Sequence, residues 1–379
     1  MKILFALDSL QTGGAEKSTL DTIKHFSKDI ETSVVHFYPG FDLKADYEKA
    51  GIPMYYIGLT GSRSFGKGIR RLISIIRKEK PDLVISSIMR ADLMSRIAGL
   101  LTGTKTIGTL INDTYGDIRI EELRRQKLYA KFRVFWWLDK MTASIPRYYI
   151  ANSLSIAKSN VKALGIARKK ITVIHRGRDT SLFPEWQAPA LNNKFRFVVI
   201  GRLIERKGLR ELIQAMAIVK KNHKDIQLDI YGEGSFRGEM EKLVKELQLQ
   251  DTVSLHGSVL NGWKKLYESH CFVLPSWYEG FSGSLIEAMI AGIPIIASDI
   301  PMNLEAANEE MAIIFKVKNV TRLAESMEKM ITAYPEMMNK GKQARIYAVN
   351  NFDIKVIAHE YESFLKTIVN KTVDTAALI

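Results

Sequence analysis

The 379-residue chain has one cysteine, so no internal disulfide can brace it. That residue, Cys271, lies in the apolar run Cys271-Phe272-Val273-Leu274, where it reads as a small buried hydrophobe and not as a nucleophile. No run of 18 apolar residues exists, which excludes a membrane-crossing helix by length. Asp8 and Gln11 interrupt the apolar start, so it lacks the pattern of a signal peptide. The seven histidines and the lone cysteine never gather at zinc-like spacing, and no metal site is expected. Internal repeats and low-complexity segments are also missing. What remains is globular in composition, 46% hydrophobic and 25% charged, and fits a reducing cytoplasm. Its length exceeds what one hydrophobic core usually supports, so two domains are expected.

Charge is unevenly spread. Residues 1–185 hold 31 Lys+Arg against 18 Asp+Glu (+13), while residues 186–379 hold 24 against 23 (+1). This asymmetry points to an acidic partner for the first half, membrane or nucleic acid; the alternative is plain solubility charge. The stretch Arg119 to Arg147 interleaves Arg124, Arg125, Lys127, Lys131, Arg133 and Lys140 with Phe132, Phe135, Trp136, Trp137 and Met141. A basic helix with aromatics on one face suits an anionic bilayer surface. It equally suits a core helix with a solvated basic face. A second basic group, with Arg63, Lys67, Arg70, Arg71, Arg77, Lys78 and Lys80, lies on the same half. No nucleic-acid recognition module is found there, so no nucleic-acid partner is expected.

Short apolar strands alternate with longer amphipathic helices in both halves, the pattern of parallel sheets with crossover helices. Strands are expected at Ile3–Leu7, Thr32–Phe37, Met54–Ile57, Leu83–Ser86, Thr106–Leu110, Tyr148–Ala151 and Ile171–Ile174. The second half gives Phe195–Ile200, Gln227–Tyr231, Val253–Leu255, Cys271–Leu274 and Pro294–Ala297. Pro184 to Lys194 has little periodicity and is the linker candidate. Asp353–Val369 is amphipathic and reads as a closing helix.

The most informative segment is WYEGFSGSLIEAMIAGIPIIASD. A strand (Cys271–Leu274) runs into a loop with Gly280, Ser282 and Gly283, and an apolar stretch at helical spacing follows. A helix start of this kind offers unpaired N–H groups and a positive dipole end, which suit an anion. Glu279 on the loop and Glu287 within the helix can accept hydrogen bonds from ligand hydroxyls. Phosphate donors beside hydroxyl acceptors describe a sugar nucleotide. The other reading is a buried βαβ unit whose acids cap or pair locally. Upstream, Gly201, Arg202 and Lys207 follow the strand Phe195–Ile200. Two cations at a strand end can hold a diphosphate and stabilise it as it leaves; ordinary surface cations are the alternative. Gly13 and Gly14, between the first strand and a helix, permit close backbone approach to a ligand or a purely structural turn.

The Glu279/Glu287 segment resembles the donor-binding E-x7-E motif of retaining glycosyltransferases of family 4, which have the GT-B fold. Met1–Phe5 with Gly13-Gly14-Ala15-Glu16-Lys17 is similar to the family's first strand and glycine loop. Val199–Leu203 with Lys207-Gly208 resembles its G-R-x4-K-G phosphate loop, and Tyr231–Gly234 and Val253–Gly257 resemble its later signatures. The resemblance implies an α/β protein with two Rossmann-like parallel-sheet domains. The first, residues 1–185 with a C-terminal helix of about 353–379, would bind the acceptor; the second, 190–352, would bind the nucleotide sugar. Arg202 and Lys207 would hold the donor diphosphate without a metal or other cofactor. Glu279 would bind hydroxyls of the transferred sugar, and Glu287 those of the ribose. The backbone of Gly280, Phe281 and Ser282 would lie beside sugar and phosphate. The implied activity is hexosyl transfer to a glycan or lipid-linked glycan at the inner face of a membrane, in bacterial surface polysaccharide synthesis. A sugar-nucleotide epimerase, an inactive sugar-nucleotide-binding subunit and a basic nucleic-acid-binding protein are the alternatives.

Two places depart from the family pattern. Ile111 stands where many members have a histidine, which leaves Asn112 or Asp113 to take part of the sugar contact. His175-Arg176-Gly177-Arg178-Asp179 replaces P-N-G-V-D; its arginines face an anionic ligand or pair with Asp179.

Overall fold

The computed structural model describes residues 1–11, 13–61, 64–190 and 194–370. Arg63 of the second basic group, residues 191–193 of the linker candidate and residues 371–379 of the closing segment lie outside the described residues. The chain forms two compact units, Met1–Gly177 together with the segment from Ile354, and Arg178–Asp353. The division falls upstream of the Pro184–Lys194 stretch. Trp186 belongs to the second unit, where its backbone N–H donates to Ala291 O and its indole N–H to Ser269 O.

The first unit holds a seven-stranded parallel sheet: β1 (Lys2–Leu7), β2 (Glu31–His36), β3 (Met54–Tyr56), β4 (Leu83–Ser87), β5 (Lys105–Leu110), β6 (Tyr148–Ala151) and β7 (Ile171–Val173), ordered β3-β2-β1-β4-β5-β6-β7. Side chains alternate across a strand, so β1 feeds two cores. Ile3, Phe5 and Leu7 pack with Leu20 and Ile23 of the helix Gly14–Ile23 and with Ile357, Leu365 and Ile368 of the closing helix. Leu4 and Ala6 face the other way, onto Leu72, Ile76, Met94 and Ala98. The closing helix Ile354–Asn370 is tied to this unit by Ser27 N–H donating to Glu362 (2.9 Å) and by Lys366 pairing with Asp29 (2.9 Å).

The basic stretch around residues 119–147 is not one helix. It is two, Asp117–Arg125 and Tyr129–Thr142, separated where Lys127 takes a left-handed conformation (φ +57°). A residue in that region ends a helix, and here no glycine or proline announces it. The second helix is held to the helix Met89–Thr102 by a buried network. Arg96, 1% exposed, donates to Asp139 at 2.5 Å, and the Tyr115 hydroxyl donates to the same carboxylate. Burial pushes the neighbouring Asp92 carboxyl up to about 7 against the attraction of Arg96.

The second unit holds a six-stranded parallel sheet: β8 (Phe195–Ile200), β9 (Ile226–Tyr231), β10 (Val253–Gly257), β11 (Cys271–Leu274), β12 (Ile295–Ser298) and β13 (Ile313–Phe315), ordered β10-β9-β8-β11-β12-β13. Every strand expected from the sequence forms, with ends that differ by at most two residues. The addition is β13, a three-residue edge strand too short to show a period. Cys271 is fully buried, and desolvation pushes its thiol well above the ordinary range, so it remains protonated.

Candidate active site

In each sheet the strand order reverses once, at β1/β4 and at β8/β11. Open α/β sheets bind ligands beyond the strand C-termini at such a switch point. In the second unit the loops there are the one from Gly201 to Gly208, after β8, and the one from Pro275 to Ser282, after β11.

These two loops bring together residues far apart in the chain. The Lys207 ammonium donates to Glu279 Oε1 at 2.5 Å, and the Ser276 hydroxyl donates to the same oxygen at 2.6 Å. Glu279 is 8% exposed. Burial alone would raise its pKa, but the Lys207 charge and hydrogen bond, the Ser276 hydroxyl and nearby Arg206 together hold it below the usual carboxylate range. A buried carboxylate therefore sits ionised beside a cation. Gly201 lies against that cation, since a Cβ there would come 3.7 Å from Lys207 Nζ. Arg202 is exposed, with no ion-pair partner among the described residues, and is available to an anion.

Two glycines make this packing possible. Gly208 has φ +66° and serves as the N-cap of the helix Leu209–Asn222; a Cβ there would run into the Pro275 carbonyl. Gly232 has φ +146° and lies against the Gly201 carbonyl in the same way. Only glycine fits both the conformation and the approach. The Trp277 backbone N–H donates to Arg206 O (2.8 Å), and the Arg206 guanidinium lies over the Tyr278 ring at 4.8 Å, which joins the two loops further.

Gly280, Phe281, Ser282 and Gly283 lead into the helix Gly283–Ala291. Ser282 is its N-cap, accepting from Leu285 N–H. The Phe281 side chain is core, 1% exposed and edge-on to Phe352, which leaves its backbone at the loop. Glu287 lies within this helix and is paired separately from Glu279. Its Oε1 accepts from Arg178 Nε at 2.7 Å, an ion pair the sequence reading did not foresee. Asp179, one of the two alternatives given for Arg176 and Arg178, instead accepts from Ser181 N–H and Oγ.

The first unit gathers its own polar residues. Gly13 is the extended N-cap of Gly14–Ile23, and the Arg176 guanidinium lies 3.4 Å from where a Gly14 Cβ would stand. Asp113 is taken up by Ser159 (2.6 Å), with burial raising its pKa. Ile111 contributes its carbonyl, which accepts from Asn152 Nδ2 at 3.0 Å. Asn152, at the end of β6, was not singled out from the sequence; its only signal there is a polar residue directly after a strand. Among the described residues no group of three or more His, Cys, Asp or Glu is placed to hold a metal ion, and no helix is long and apolar enough to cross a membrane.

Comparison with known proteins covers both units. Residues 12–182 match the family described as Glycosyltransferase Family 4, and residues 184–347 match Glycosyl transferases group 1. The capsular polysaccharide biosynthesis glycosyltransferase CapH of Staphylococcus aureus is 24% identical, over 95% of this chain and 97% of that protein. An Escherichia coli UDP-Gal:alpha-D-GlcNAc-diphosphoundecaprenol alpha-1,3-galactosyltransferase is 24% identical, over 80% of each. The crystal structure of Anabaena HepE in complex with UDP-glucose superposes with a TM-score of 0.82 at 20% identity, covering 97% of this chain and all of that one. With both halves matched in order and the fold shared, the chain belongs to the GT-B glycosyltransferases, Family 4 in its first half and group 1 in its second.

Proposed function

We propose that the chain transfers a hexosyl unit, with retained configuration, from a nucleoside-diphosphate sugar to a glycan or lipid-linked glycan of a bacterial surface polysaccharide. The observation that carries this is the cluster at the β8/β11 switch point: exposed Arg202, Lys207 paired to buried Glu279, and the N-terminus of Gly283–Ala291. Cations and helix N–H groups suit the departing diphosphate, which then needs no metal. The ionised Glu279 suits a sugar hydroxyl. The relatives' names, a capsular enzyme and one using a diphosphoundecaprenol acceptor, support the acceptor class. Incubating the protein with a panel of nucleotide sugars and following the products by mass spectrometry tests the reading. One donor should be hydrolysed slowly, releasing its nucleoside diphosphate. Sugar interconversion without that release would make it an epimerase, and no turnover of any donor would make it a binding subunit.

The reading includes a peripheral place at the inner membrane face. On the helix Tyr129–Thr142, Val134, Trp137, Leu138 and Met141 recur at i, i+3, i+4 and i+7 and are 59%, 61%, 39% and 62% exposed. Lys131, Arg133 and Lys140 flank them, also exposed. Trp136 points the other way, its indole donating to Ala163 O. Each cation near an anionic surface contributes about 1 kcal/mol, screened by salt. The protein should float with anionic vesicles at low salt, leave them at high salt and ignore neutral ones. Trp137→Ala should weaken binding at intermediate salt, and Trp136→Ala should not act through the surface. Tighter binding to nucleic acid than to anionic lipid at matched salt would overturn this placement.

A further inference from the structure

A cavity of about 80 Å³ opens in the first unit, beyond the C-terminal ends of β4, β5, β6 and β7 and beside the helix Gly14–Ile23. It has room for roughly six water molecules, too little for a disaccharide. Its lining is two-sided. Ile111, Ile150, Ile174 and Tyr361 make apolar walls, while hydroxyls and an amide come from Ser18, Ser87, Thr109 and Asn152.

Two buried polar atoms on this lining have no hydrogen-bond partner among the described residues. Asn152 is 7% exposed, and its amide is oriented because Nδ2 donates to the Ile111 carbonyl at 3.0 Å. Oδ1 is thereby left as an acceptor with no donor among the described residues. Ser18 Oγ is in the same position. By contrast, Ser87 and Thr109 satisfy each other at 2.8 Å. Leaving a buried polar group orphaned is unfavourable, and a bound hydroxyl would relieve it. Directly after Ser87, Ile88 holds φ +74°, a conformation that a β-branched residue adopts only under constraint and that gathers at functional sites. Arg176 and His175 also line the cavity, so an anion is the competing ligand.

We propose that this cavity holds one pyranose ring, with Asn152 Oδ1 and Ser18 Oγ taking ring hydroxyls and the isoleucines and Tyr361 covering its C–H faces. Apolar walls with a few placed polar atoms are the usual make-up of a small-molecule site. The orphaned acceptor on Asn152 calls for a donor, which a hydroxyl supplies and a phosphate oxygen does not. In the proposed reaction this ring is the terminal sugar of the acceptor, and to that extent the inference rests on that reading.

Saturation-transfer NMR on the full chain, with methyl glucopyranoside, methyl galactopyranoside and methyl N-acetylglucosaminide as probes, tests it. At least one probe should bind. Asn152→Leu and Ser18→Ala should each weaken it about tenfold, the effect of one lost hydrogen bond of about 1.4 kcal/mol. Uridine diphosphate binding, measured by calorimetry on the same samples, should not change, which also certifies that each variant is folded. The proposal is overturned if no pyranoside binds, if both variants bind it as the parent does, or if inorganic phosphate displaces it and binds unchanged in Asn152→Leu. Asn152-dependent pyranoside binding in a protein that turns over no nucleotide sugar would keep the cavity assignment and remove the transferase reading.

Discussion

Arg202→Ala is expected to lower turnover by roughly 30- to 1000-fold, the loss of about 2–4 kcal/mol of transition-state stabilisation when one preorganised donor to developing charge is removed. Its thermal midpoint should match the parent's, because Arg202 is exposed and has no ion-pair partner among the described residues. Lys207→Ala should lose as much activity and also destabilise. The sequence alone suggests that neither cation supports the fold, but Lys207 neutralises a carboxylate that is 8% exposed. Removing one partner of a buried pair costs about 3–5 kcal/mol. The pH dependence has a definite sign. Glu279 is held below the ordinary carboxylate range, so its contribution to stability is present above the unfolded value and is lost as pH falls through the folded one. Without Lys207 that contribution disappears, so the stability gap between variant and parent should be widest near neutral pH and close in acid. Steady-state kinetics with the donor from the panel, alongside melts at several pH values, reads both effects. Parent-like turnover in either variant would remove these residues from the diphosphate.

Glu287→Gln should weaken nucleoside diphosphate binding by roughly 10- to 100-fold, since hydrogen bonds to a charged group contribute about 1.5–3 kcal/mol. Glu279→Gln should leave it intact or tighten it. The reason is Lys207, which that substitution releases from its partner and makes available to phosphate. Glu279→Gln should instead cost affinity for the intact sugar nucleotide. Calorimetric titration of the diphosphate and of the sugar nucleotide into both variants separates the roles. Glu287→Gln also leaves Arg178 buried without its carboxylate, so its titration must be run below its own melting transition. Equal losses of diphosphate affinity in the two variants would show that the division of roles is wrong.

How far such a site can be read from sequence depends on how far apart its parts lie. The strands were legible because apolar runs bounded by glycine and polar residues are local signals, and the Gly201–Gly208 and Glu279–Gly283 loops could be placed at their ends. The contacts within the site were not. Lys207 and Glu279 are 72 residues apart and Arg178 and Glu287 are 109 apart, whereas the sequence offered Arg178 only an anionic ligand or its neighbour Asp179. Asn152 matters because of an orphaned oxygen, a property no single residue displays in a string. The break at Lys127 escaped for a different reason: a left-handed lysine carries no compositional mark.

The contacts at Gly208 and Gly232 have a dynamic consequence. Pro275 O occupies the space beside one and Gly201 O the space beside the other, so the loops after β8, β9 and β11 cannot separate singly. Opening one would strip buried polar groups and left-handed backbone in its neighbours at once. Amide hydrogens along all three would then exchange at a common slow rate, as one cooperative unit and not as three independently fraying loops.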